Sequence, residues 1–513
     1  MQDRQEQVAQ VVVSASQMRD IEGRIFAAGM PVAALMEKVA GLIAVRVQQA
    51  EGSRVGILVG PGHNGGDALV VARELHFRGY AVWLYSPFSK LKELTSQHLK
   101  YAQSLGIPYY QEFEQLPECD FLIDGLFGFG LERPITDAIA LAINQLNQWH
   151  KPILSIDIPS GIHTDTGAVL GTAIRANQTF CLGLWKLAFL QDHALEYIGK
   201  AELIDFDIPG ADVQAVLGDA PKIKRITPRT VKLTLPLPRP PVTHKYKEGH
   251  LLLICGSRRY AGGAILTALG ARASGVGMLS IAVPESLKPL LISHLPEALI
   301  IGCPETETGA IAHLQLPENT DMSSFSAIAC GPGLTLDAAP ILSEVMQCDR
   351  SLILDADALN ILAEMGTIPT LQQRPAPTVL TPHTGEFQRL FPHIPQQDRV
   401  KAVAEAAVQS GAVVLLKGAR TAIANSQGAI WINPESTPAL SRGGSGDVLT
   451  GLMGGLLAQA TTKKIPVEDI VATAAWWHSQ AGILAAQERT ELGVDAFTLT
   501  QYLMKVISNL GNM

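Results

Sequence analysis

Short apolar runs alternate with longer helical patterns through the first half of the chain. Four of these runs predict buried strands, at 54–60, 81–85, 121–124 and 152–156. A glycine-rich turn at 62–66 and a helix over 67–79 are predicted after the first run. Strand–loop–helix repetition is typical of a parallel sheet with helices on both faces, and such sheets bind ligands at the carboxyl ends of their strands. We therefore expect a doubly wound α/β domain with its site on these loops.

The second half repeats the alternation with its own set of predicted strands. These lie at 250–255, 278–283, 327–330, 351–354 and 412–416. Three prolines at 238–241 cannot lie inside a sheet and favour a semi-rigid spacer. We therefore expect a domain over 1–220, a Pro-rich linker over 221–241 and a second domain over 242–513. The alternative is a Pro-rich loop within one domain, but 513 residues exceed what one core usually holds.

Composition narrows the class of protein. Hydrophobic residues make up 47% and charged residues 17% of the chain, which suits large buried cores. The net charge is −8, and no dense run of Lys and Arg indicates a nucleic-acid partner. The six cysteines form no CxxC pair, so we expect them to be buried in a reducing compartment. The N-terminus is polar, and no stretch reaches the ~20 apolar residues of a membrane span. These features predict a cytoplasmic protein that does not bind a membrane.

A glycine-rich loop and two acidic strand ends carry the candidate chemistry of the first half. The segment 61–67, PGHNGGD, follows a predicted strand and opens a helix, where unpaired N–H groups can hold a phosphate. Asp124 and Asp157 end two further strands, each before a glycine loop. A lone Asp at such a place is more often a turn residue. The loop 61–67, Asp124 and Asp157 each lie at the end of a predicted strand. Such strand ends can converge at one edge of a doubly wound sheet, so we expect a binding site there.

This half resembles the NAD(P)H-hydrate epimerase family. The likeness covers nearly all of residues 10–210, through the segments 17–19, 35–38, 60–67, 124–134 and 157–161. It implies a Rossmann-like fold, with Asp157 as the catalytic residue beside the reacting ring. It also implies a potassium ion held by Asn64, Asp124 and Ser160. The substrate-binding residues that it implies are His63, Asn64, Gly65, Gly66, Asp67, Gly128, Phe129, Gly130, Leu131, Glu132, Arg133, Pro134 and Asp157. The chain departs from the family pattern at His63, where Asn is usual, and at Ala68, where Gly is usual.

A second glycine-rich turn opens a long helix of small residues in the other half. The stretch 440–451 reads LSRGGSGDVLTG, and it lacks the Lys-Ser/Thr of a P-loop. The N–H groups of 444–446 can form an anion hole, and Asp447 can accept a proton from a hydroxyl held beside a phosphate. An Asp that only complements the helix dipole is the alternative, which the preceding glycines disfavour.

This half resembles the ADP-dependent NAD(P)H-hydrate dehydratases, a branch of the ribokinase-like fold, over about residues 240–505. The resemblance implies that Asp447 is catalytic and that Mg²⁺ accompanies the co-substrate ADP or ATP. Contacts to the hydrate are implied for Ala264, Gly333, His383 and Asp447. Contacts to the adenine nucleotide are implied for Lys417, Gly418, Ala419, Arg420, Thr421 and Gly446. The chain departs from the family pattern at Thr384, Ser441 and Arg442.

Together the two resemblances imply one bifunctional repair enzyme, which we expect to be a homo-oligomer. Its first domain would interconvert the R and S epimers of hydrated NADH and NADPH. Its second would return the S epimer to NAD(P)H at the expense of ADP, giving AMP and phosphate. Two other interpretations remain open: a small-molecule kinase acting on a vitamin alcohol, which shares the second glycine turn, and a first domain that only senses a ligand or binds a protein.

Overall fold

A computed structural model describes residues 2–47, 52–113 and 115–510, and the chain divides between Pro221 and Lys222 into two separately packed units. The strands of the first unit are β1 (Val12–Val13), β2 (Arg54–Val59), β3 (Ala81–Tyr85), β4 (Tyr109–Tyr110), β5 (Phe121–Gly125), β6 (Ile153–Ile156), β7 (Gln178–Leu182), β8 (Trp185–Lys186) and β9 (Lys200–Ile204). Its helices are α1 (Gln2–Gln10), α2 (Ala15–Ala27), α3 (Val32–Ala44), α4 (His63–Phe77), α5 (Glu93–Ser104), α6 (Asp137–Gln148), α7 (Leu195–Ile198) and α8 (Gly210–Leu217).

The main sheet of the first unit is parallel throughout, with the order β4-β3-β2-β5-β6-β7-β9. The chain builds outward from β2 to β4 on one side and then from β5 to β9 on the other. Successive residues of β2 and β5 pack on opposite faces of the sheet. Ile57 and Ile123 belong to one apolar cluster, and Leu58 and Leu122 belong to another. The order therefore reverses between β2 and β5, and ligands bind at such a switch point.

The second unit has its own set of strands and helices. The strands are β10 (Ile223–Arg225), β11 (His250–Ile254), β12 (Met278–Pro284), β13 (Leu299–Cys303), β14 (Ala327–Cys330), β15 (Ser351–Leu354), β16 (Thr378–Leu380), β17 (Val413–Leu416), β18 (Ala422–Ala424) and β19 (Ile430–Ile432). The helices are α9 (Pro228–Thr234), α10 (Ala261–Ala273), α11 (Lys288–His294), α12 (Ala339–Val345), α13 (Asp357–Met365), α14 (Thr367–Gln372), α15 (Thr384–Leu390), α16 (Arg399–Ser410), α17 (Ser445–Lys463), α18 (Val467–Arg489) and α19 (Ala496–Leu510).

The sheet of the second unit runs β10-β19-β18-β17-β16-β15-β14-β11-β12-β13. Its pairs are parallel except for β17–β18 and β18–β19. Leu251 of β11, the third strand from one edge, is paired with Leu279 on one side and Ala327 on the other. Helices α10 and α17 pack closely, since a Cβ on Gly451 would lie 1.7 Å from the carbonyl oxygen of Thr267. The predicted fold class, an α/β chain with a parallel sheet in its first half and a mostly parallel sheet in its second, is confirmed.

Two predicted segments differ from the structure. The helix after β2 begins at His63 rather than at residue 67, because glycine at 65 lets the first turn lie against the backbone of Gly60. The predicted linker is wrong over its first part, since β10 pairs with β19 and α9 packs against α18 with Val231 fully buried. The apolar residues in the first part of the predicted linker therefore pack into the core of the second unit. The exposed part of this segment that lies outside any helix or strand begins at residue 237 and continues to residue 247.

Short 3₁₀ helices complete the described chain at Leu116–Glu118, Leu187–Leu190, Asp192–Ala194, Glu285–Leu287, Met322–Ser324, Leu336–Ala338, Pro438–Leu440 and Glu491–Gly493. Within the described ranges no single helix is long and apolar enough to cross a membrane, and only the bent pair α2 and α3 reaches that length and composition when taken together.

Candidate active sites

A cavity of about 880 Å³ opens where the loops after β2, β5 and β6 meet in the first unit. Of the residues that the sequence singled out, those that line it are His63, Asn64, Asp67, Gly128, Phe129, Gly130, Leu131, Glu132, Arg133 and Asp157. Gly65, Gly66, Asp124, Pro134 and Ser160 are not in its lining. A cavity of this size holds a small-molecule ligand, and it lies at the switch point of the sheet.

Asp157 is held from two sides. Its Oδ2 accepts a hydrogen bond from the backbone N–H of Phe129 at 2.8 Å, and its Oδ1 lies 2.6 Å from Nζ of Lys186. Lys186 is fully buried and also donates to the carbonyl of Leu182. Burial lowers the pKa of Lys186, but the Asp157 carboxylate outweighs it and the net shift is upward. Asp157 also has φ of +70°, a strained conformation for a residue with a side chain, which functional sites often retain.

Besides the exposed Glu132, two further carboxyl groups line the same cavity, those of Glu22 on α2 and Asp67 in the first turn of α4. Burial, reinforced by Asp157, raises the pKa of Glu22 to about 7, although Lys186 and Arg19 oppose the shift. Burial together with the charges of Asp157 and Glu22 raises the pKa of Asp67 well above its usual range. The cavity thus combines an ion pair with carboxyl groups that retain protons at higher pH than usual.

Oxygen-bearing side chains meet beside the cavity in an arrangement that suits a cation. Ser160 donates to Asp124 from Oγ at 2.6 Å and from its backbone N–H at 2.8 Å. A Cβ on Gly128 would lie 3.3 Å from Oδ1 of Asn64, whose Nδ2 is buried with no partner among the described residues. Burial raises the pKa of Asp124 despite the hydrogen bonds that it accepts, so a bound cation would stabilise its ionised form. The donor set therefore fits a hard cation.

Two glycines of the predicted binding loop serve packing. A Cβ on Gly65 would lie 1.9 Å from the carbonyl oxygen of Gly60, and one on Gly66 would lie 2.9 Å from the methyl carbon of Met36. His63, which departs from the family pattern, lines the cavity, and burial followed by the charge of Lys92 lowers its pKa. The neutral ring can therefore contact a ligand without adding a positive charge.

In the second unit, Asp447 lies in the first turn of α17 behind Gly444, which has φ of +88° at the helix N-cap. A Cβ on Gly263 would lie 3.3 Å from Oδ2 of Asp447, so this carboxylate faces the start of α10. Burial and the charge of Asp355 raise the pKa of Asp447 to about 6, although Lys417 opposes them. Such a carboxylate is ionised at neutral pH and can act as a base.

A buried network lies beside this turn. Lys417 Nζ is 2.7 Å from Oδ1 of Asp355, and Thr450 Oγ1 donates to Oδ2 of the same carboxylate at 2.6 Å. Glu386 lies 4.0 Å from the same ammonium group. A Cβ on Gly446 would be 3.4 Å from Lys417 Nζ. The ammonium group therefore lies at the N-terminal end of α17, where an anion would bind.

The remaining predicted residues of the second unit fall around this point. His383 caps α15, since its Nδ1 accepts from the N–H groups of Gly385 and Glu386, while its side chain stays 57% exposed. A Cβ on Gly333 would lie 2.8 Å from Cβ of Tyr260, so only glycine fits there. Ala264 is fully buried within α10. Nε2 of His383 lies 3.4 Å from Oε1 of Glu386, so the ring also faces the carboxylate that lies near Lys417.

The predicted nucleotide residues divide into two groups. Lys417 lies with Gly446 at the helix end, whereas Gly418, Ala419, Arg420 and Thr421 form the loop that leads into β18. The ion pair of Lys417 with Asp355 holds its ammonium group at the start of α17, apart from the loop over 418–421. Arg442, which departs from the family pattern, donates a hydrogen bond to the carbonyl of Leu492 at 3.0 Å.

Four residues of these sites were not assigned from the sequence: Glu22, Lys186, Asp355 and His478. His478 on α18 is buried and bonded to Ser445 at the start of α17, and burial lowers its pKa to about 4. It is therefore neutral and anchors the helix that carries Asp447. Asp355 directly follows a predicted strand, which was a usable signal, whereas the other three show no motif around them.

Two α/β units, each with a carboxylate beside a glycine-rich loop at the carboxyl edge of its sheet, define a two-site enzyme acting on nucleotides or similar ligands. The family model described as NAD(P)H-hydrate dehydratase matches residues 251–505, and the one described as YjeF-related protein N-terminus matches residues 27–188. The chain therefore belongs to the family of bifunctional NAD(P)H-hydrate repair enzymes, as its relatives show. This confirms the family and the combination of epimerase and dehydratase predicted from the sequence.

Similar proteins span almost the whole chain. A bifunctional NAD(P)H-hydrate repair enzyme of Synechocystis is 55% identical over 497 residues, which are 96% of this chain and 94% of that protein. One from Thermosynechococcus vestitus is 51% identical over 502 residues and covers 97% of each chain. The crystal structure of an ADP/ATP-dependent NAD(P)H-hydrate dehydratase from Bacillus subtilis, co-crystallised with ATP and Mg²⁺, is 33% identical with a TM-score of 0.48 and covers 55% of this chain and 97% of that one.

Proposed function

We propose that the first unit epimerises hydrated NADH and NADPH at carbon 6 and that the second unit dehydrates the S epimer with ADP. The observation that carries this proposal is the pair of separate sites, one around Asp157 and one around Asp447, each on its own sheet. An epimerase needs no nucleotide co-substrate, whereas the dehydratase needs an anion hole. In the second site Lys417 lies beside the N-terminal turn of α17, where the phosphates of a nucleotide would bind.

The first site can stabilise the cation that forms during epimerisation. Carbon 6 of the hydrate carries a hydroxyl and adjoins the ring nitrogen, whose lone pair can expel the hydroxyl as water. The planar cation then accepts water on either face. Asp157, fixed by Phe129 and Lys186, supplies a negative charge whose position changes little during the reaction. The walls of the cavity, including Phe129 and Leu131, hold the ring and limit the entry of water.

We assign a potassium ion to Asn64, Asp124 and Ser160. Their oxygens come from the first turn of α4, the end of β5 and the loop after β6, and Asn64 Oδ1 and the Asp124–Ser160 pair supply oxygen ligands. When bound, the ion would neutralise Asp124 and tie these three segments together. The ion would thus help to shape the cavity.

In the second site, Asp447 accepts the proton of the carbon 6 hydroxyl as that oxygen attacks the β-phosphorus of ADP. AMP leaves, and the phosphorylated carbon then loses phosphate as the ring nitrogen donates its electrons, which regenerates NAD(P)H. Hydroxide is a poor leaving group and phosphate is a good one. Lys417 and the N–H groups at the start of α17 stabilise the negative charge on the transferred group.

We assign the hydrate side of this site to Ala264, Gly333 and His383, and the adenosine side to the loop over 418–421. The carboxylate of Glu386 supplies hard oxygens that suit Mg²⁺, which would neutralise the nucleotide phosphates when bound. ATP fits the same arrangement as ADP with one more phosphate. A homo-oligomer and a cytoplasmic location stay predictions.

The test uses purified protein and a mixture of the two hydrate epimers of NADH. With ADP and Mg²⁺, absorbance at the NADH band should recover for the whole mixture. Without nucleotide, an enriched epimer should return to the mixture, as chromatography would show. Production of a stable phosphorylated alcohol from a vitamin, with no NADH recovered, would favour the kinase interpretation instead.

A further inference from the structure

The two oxygens of Asp157 are both occupied. Oδ1 lies 2.6 Å from the buried ammonium of Lys186, and Oδ2 accepts from the N–H of Phe129 at 2.8 Å. Protonating this carboxylate would break an ion pair that is almost wholly buried, since Lys186 is fully buried and Asp157 is 3% exposed. Asp157 is therefore well placed to remain an anion and poorly placed to exchange a proton with the substrate.

Epimerisation nevertheless requires a proton. The departing hydroxyl leaves as water only if it gains a proton, and the returning water must lose one. Another group that lines the cavity therefore has to supply and recover this proton.

Apart from Glu132, whose side chain is 76% exposed, the carboxyl groups that line the cavity with Asp157 are those of Glu22 and Asp67. Burial disfavours the charged form of both groups, and the nearby Asp157 carboxylate adds to that effect. The pKa of Asp67 lies well above its usual range because of burial and then the charges of Asp157 and Glu22. The pKa of Glu22 is raised only to about 7 by burial, because Lys186 and Arg19 oppose the shift. Of the two, Glu22 can both give and take a proton near neutrality.

We propose that Glu22 carries the catalytic proton of the epimerisation and that Asp157, positioned by Lys186, stays ionised and stabilises the ring cation. This inference rests on the epimerase function proposed above for the first unit. Glu22 and Asp157 then have different roles, and the different surroundings of the two carboxyl groups favour this division.

The chemical step balances without any further reagent. Glu22 donates its proton to the carbon 6 oxygen, the C–O bond breaks with both electrons going to oxygen, and the ring nitrogen forms a double bond to carbon 6. Water then adds to the other face of carbon 6 and its proton returns to the Glu22 carboxylate. The charged and titratable groups that face the cavity with Glu22 are Arg19, His63, Asp67, Lys92, Glu132, Arg133 and Asp157, with Lys186 behind Asp157.

The full-length protein without nucleotide provides the test, with epimer interconversion followed by chromatography. Glu22→Gln should lower kcat about 10²–10⁴-fold, the usual loss for a proton-transfer group, with KM changed less than threefold. Asp20→Asn is the matched control, since Asp20 lies on the same helix α2 but is exposed and does not line the cavity, and it should keep kcat within threefold. A Glu22→Gln rate within threefold of the wild type would overturn the proposal.

The pH profile of the wild type gives an independent readout. Because Glu22 must start protonated, kcat/KM should fall as pH rises through about 7, and any residual activity of Glu22→Gln should lack this dependence. A wild-type profile that is flat from about pH 6 to 8 would overturn the assignment even if the variant fails to fold. A wild type with no epimerase activity would instead refute the proposed function of the unit.

Discussion

Lys417 Nζ lies 2.7 Å from Oδ1 of Asp355, whose other oxygen accepts a hydrogen bond from Thr450. Asp355 is 1% exposed, so the pair is shielded from water on the carboxylate side. This contact fixes the ammonium beside Gly446 at the start of α17. The cation of the proposed phosphoryl-transfer site is thus positioned by an aspartate that has no direct part in the reaction.

We expect Asp355→Asn to weaken both the fold and the activity of the second unit. Thr450 keeps a partner, but Lys417 loses its counter-charge, which should cost about 1–3 kcal/mol of unfolding free energy. The dehydratase kcat should fall at least about tenfold because the ammonium is no longer held at the phosphate. Urea unfolding and NADH recovery measure the two effects. Asp349→Asn removes an exposed ion pair with Arg350 and serves as the control, and equal results for both variants would refute the positioning role.

The dehydratase rate should depend on the ionisation of Asp447. Burial and Asp355 raise its pKa to about 6. A base must be ionised to act, so kcat/KM should be constant above this pKa and fall about tenfold per pH unit below it. Initial rates of NADH recovery between about pH 5 and 8 would show this limb. A rate that rises as the pH falls below 6 would contradict the role of Asp447 as a base.

Gly65→Ala should destabilise the first unit. A Cβ there would lie 1.9 Å from the carbonyl oxygen of Gly60, so the first turn of α4 would have to move, at a cost of about 1–3 kcal/mol. Epimerase activity should fall as well, because His63 and Asn64 move with that turn. Gly41→Ala is the matched control within α3, where nothing lies within 4 Å, and it should be neutral or stabilising by up to about 1 kcal/mol. Similar unfolding midpoints for the two variants would show that the close approach at Gly65 is unimportant.

A fragment of the second unit should fold only if it retains β10 and α9. We expect residues 222–513 to give a stable, active dehydratase. A fragment that begins at residue 236 lacks β10, Ile226, Val231 and Leu235, which the structure places in the sheet or the second core. Each lost side chain removes about 1.5–3 kcal/mol of burial energy. Thermal unfolding followed by circular dichroism would compare the two, and equal melting temperatures would restore the interpretation of this segment as a linker.

The strands and glycine turns could be predicted because their signals are local. Asp157 and Asp447 follow a strand and a glycine-rich turn, so a short stretch of sequence indicated both. Glu22 and Lys186 reach the Asp157 cavity from distant parts of the chain, and no local pattern distinguishes them from surface or core residues. The prolines at 238–241 suggested a linker, whereas the apolar residues just before them form β10 and α9 instead. Long-range partners of a site therefore required the structure.

The most direct test of two separate active sites compares Asp157→Ala with Asp447→Ala in the full-length protein. Each variant receives the mixed hydrate epimers of NADH with saturating ADP and Mg²⁺. Asp157→Ala should restore NADH only from the S epimer and leave the R epimer unreacted. Asp447→Ala should restore NADH at least about 10²-fold more slowly while still interconverting the epimers. If Asp447→Ala recovers NADH within threefold of the wild-type rate, or if either variant loses both activities while remaining folded, the account of two independent sites is contradicted.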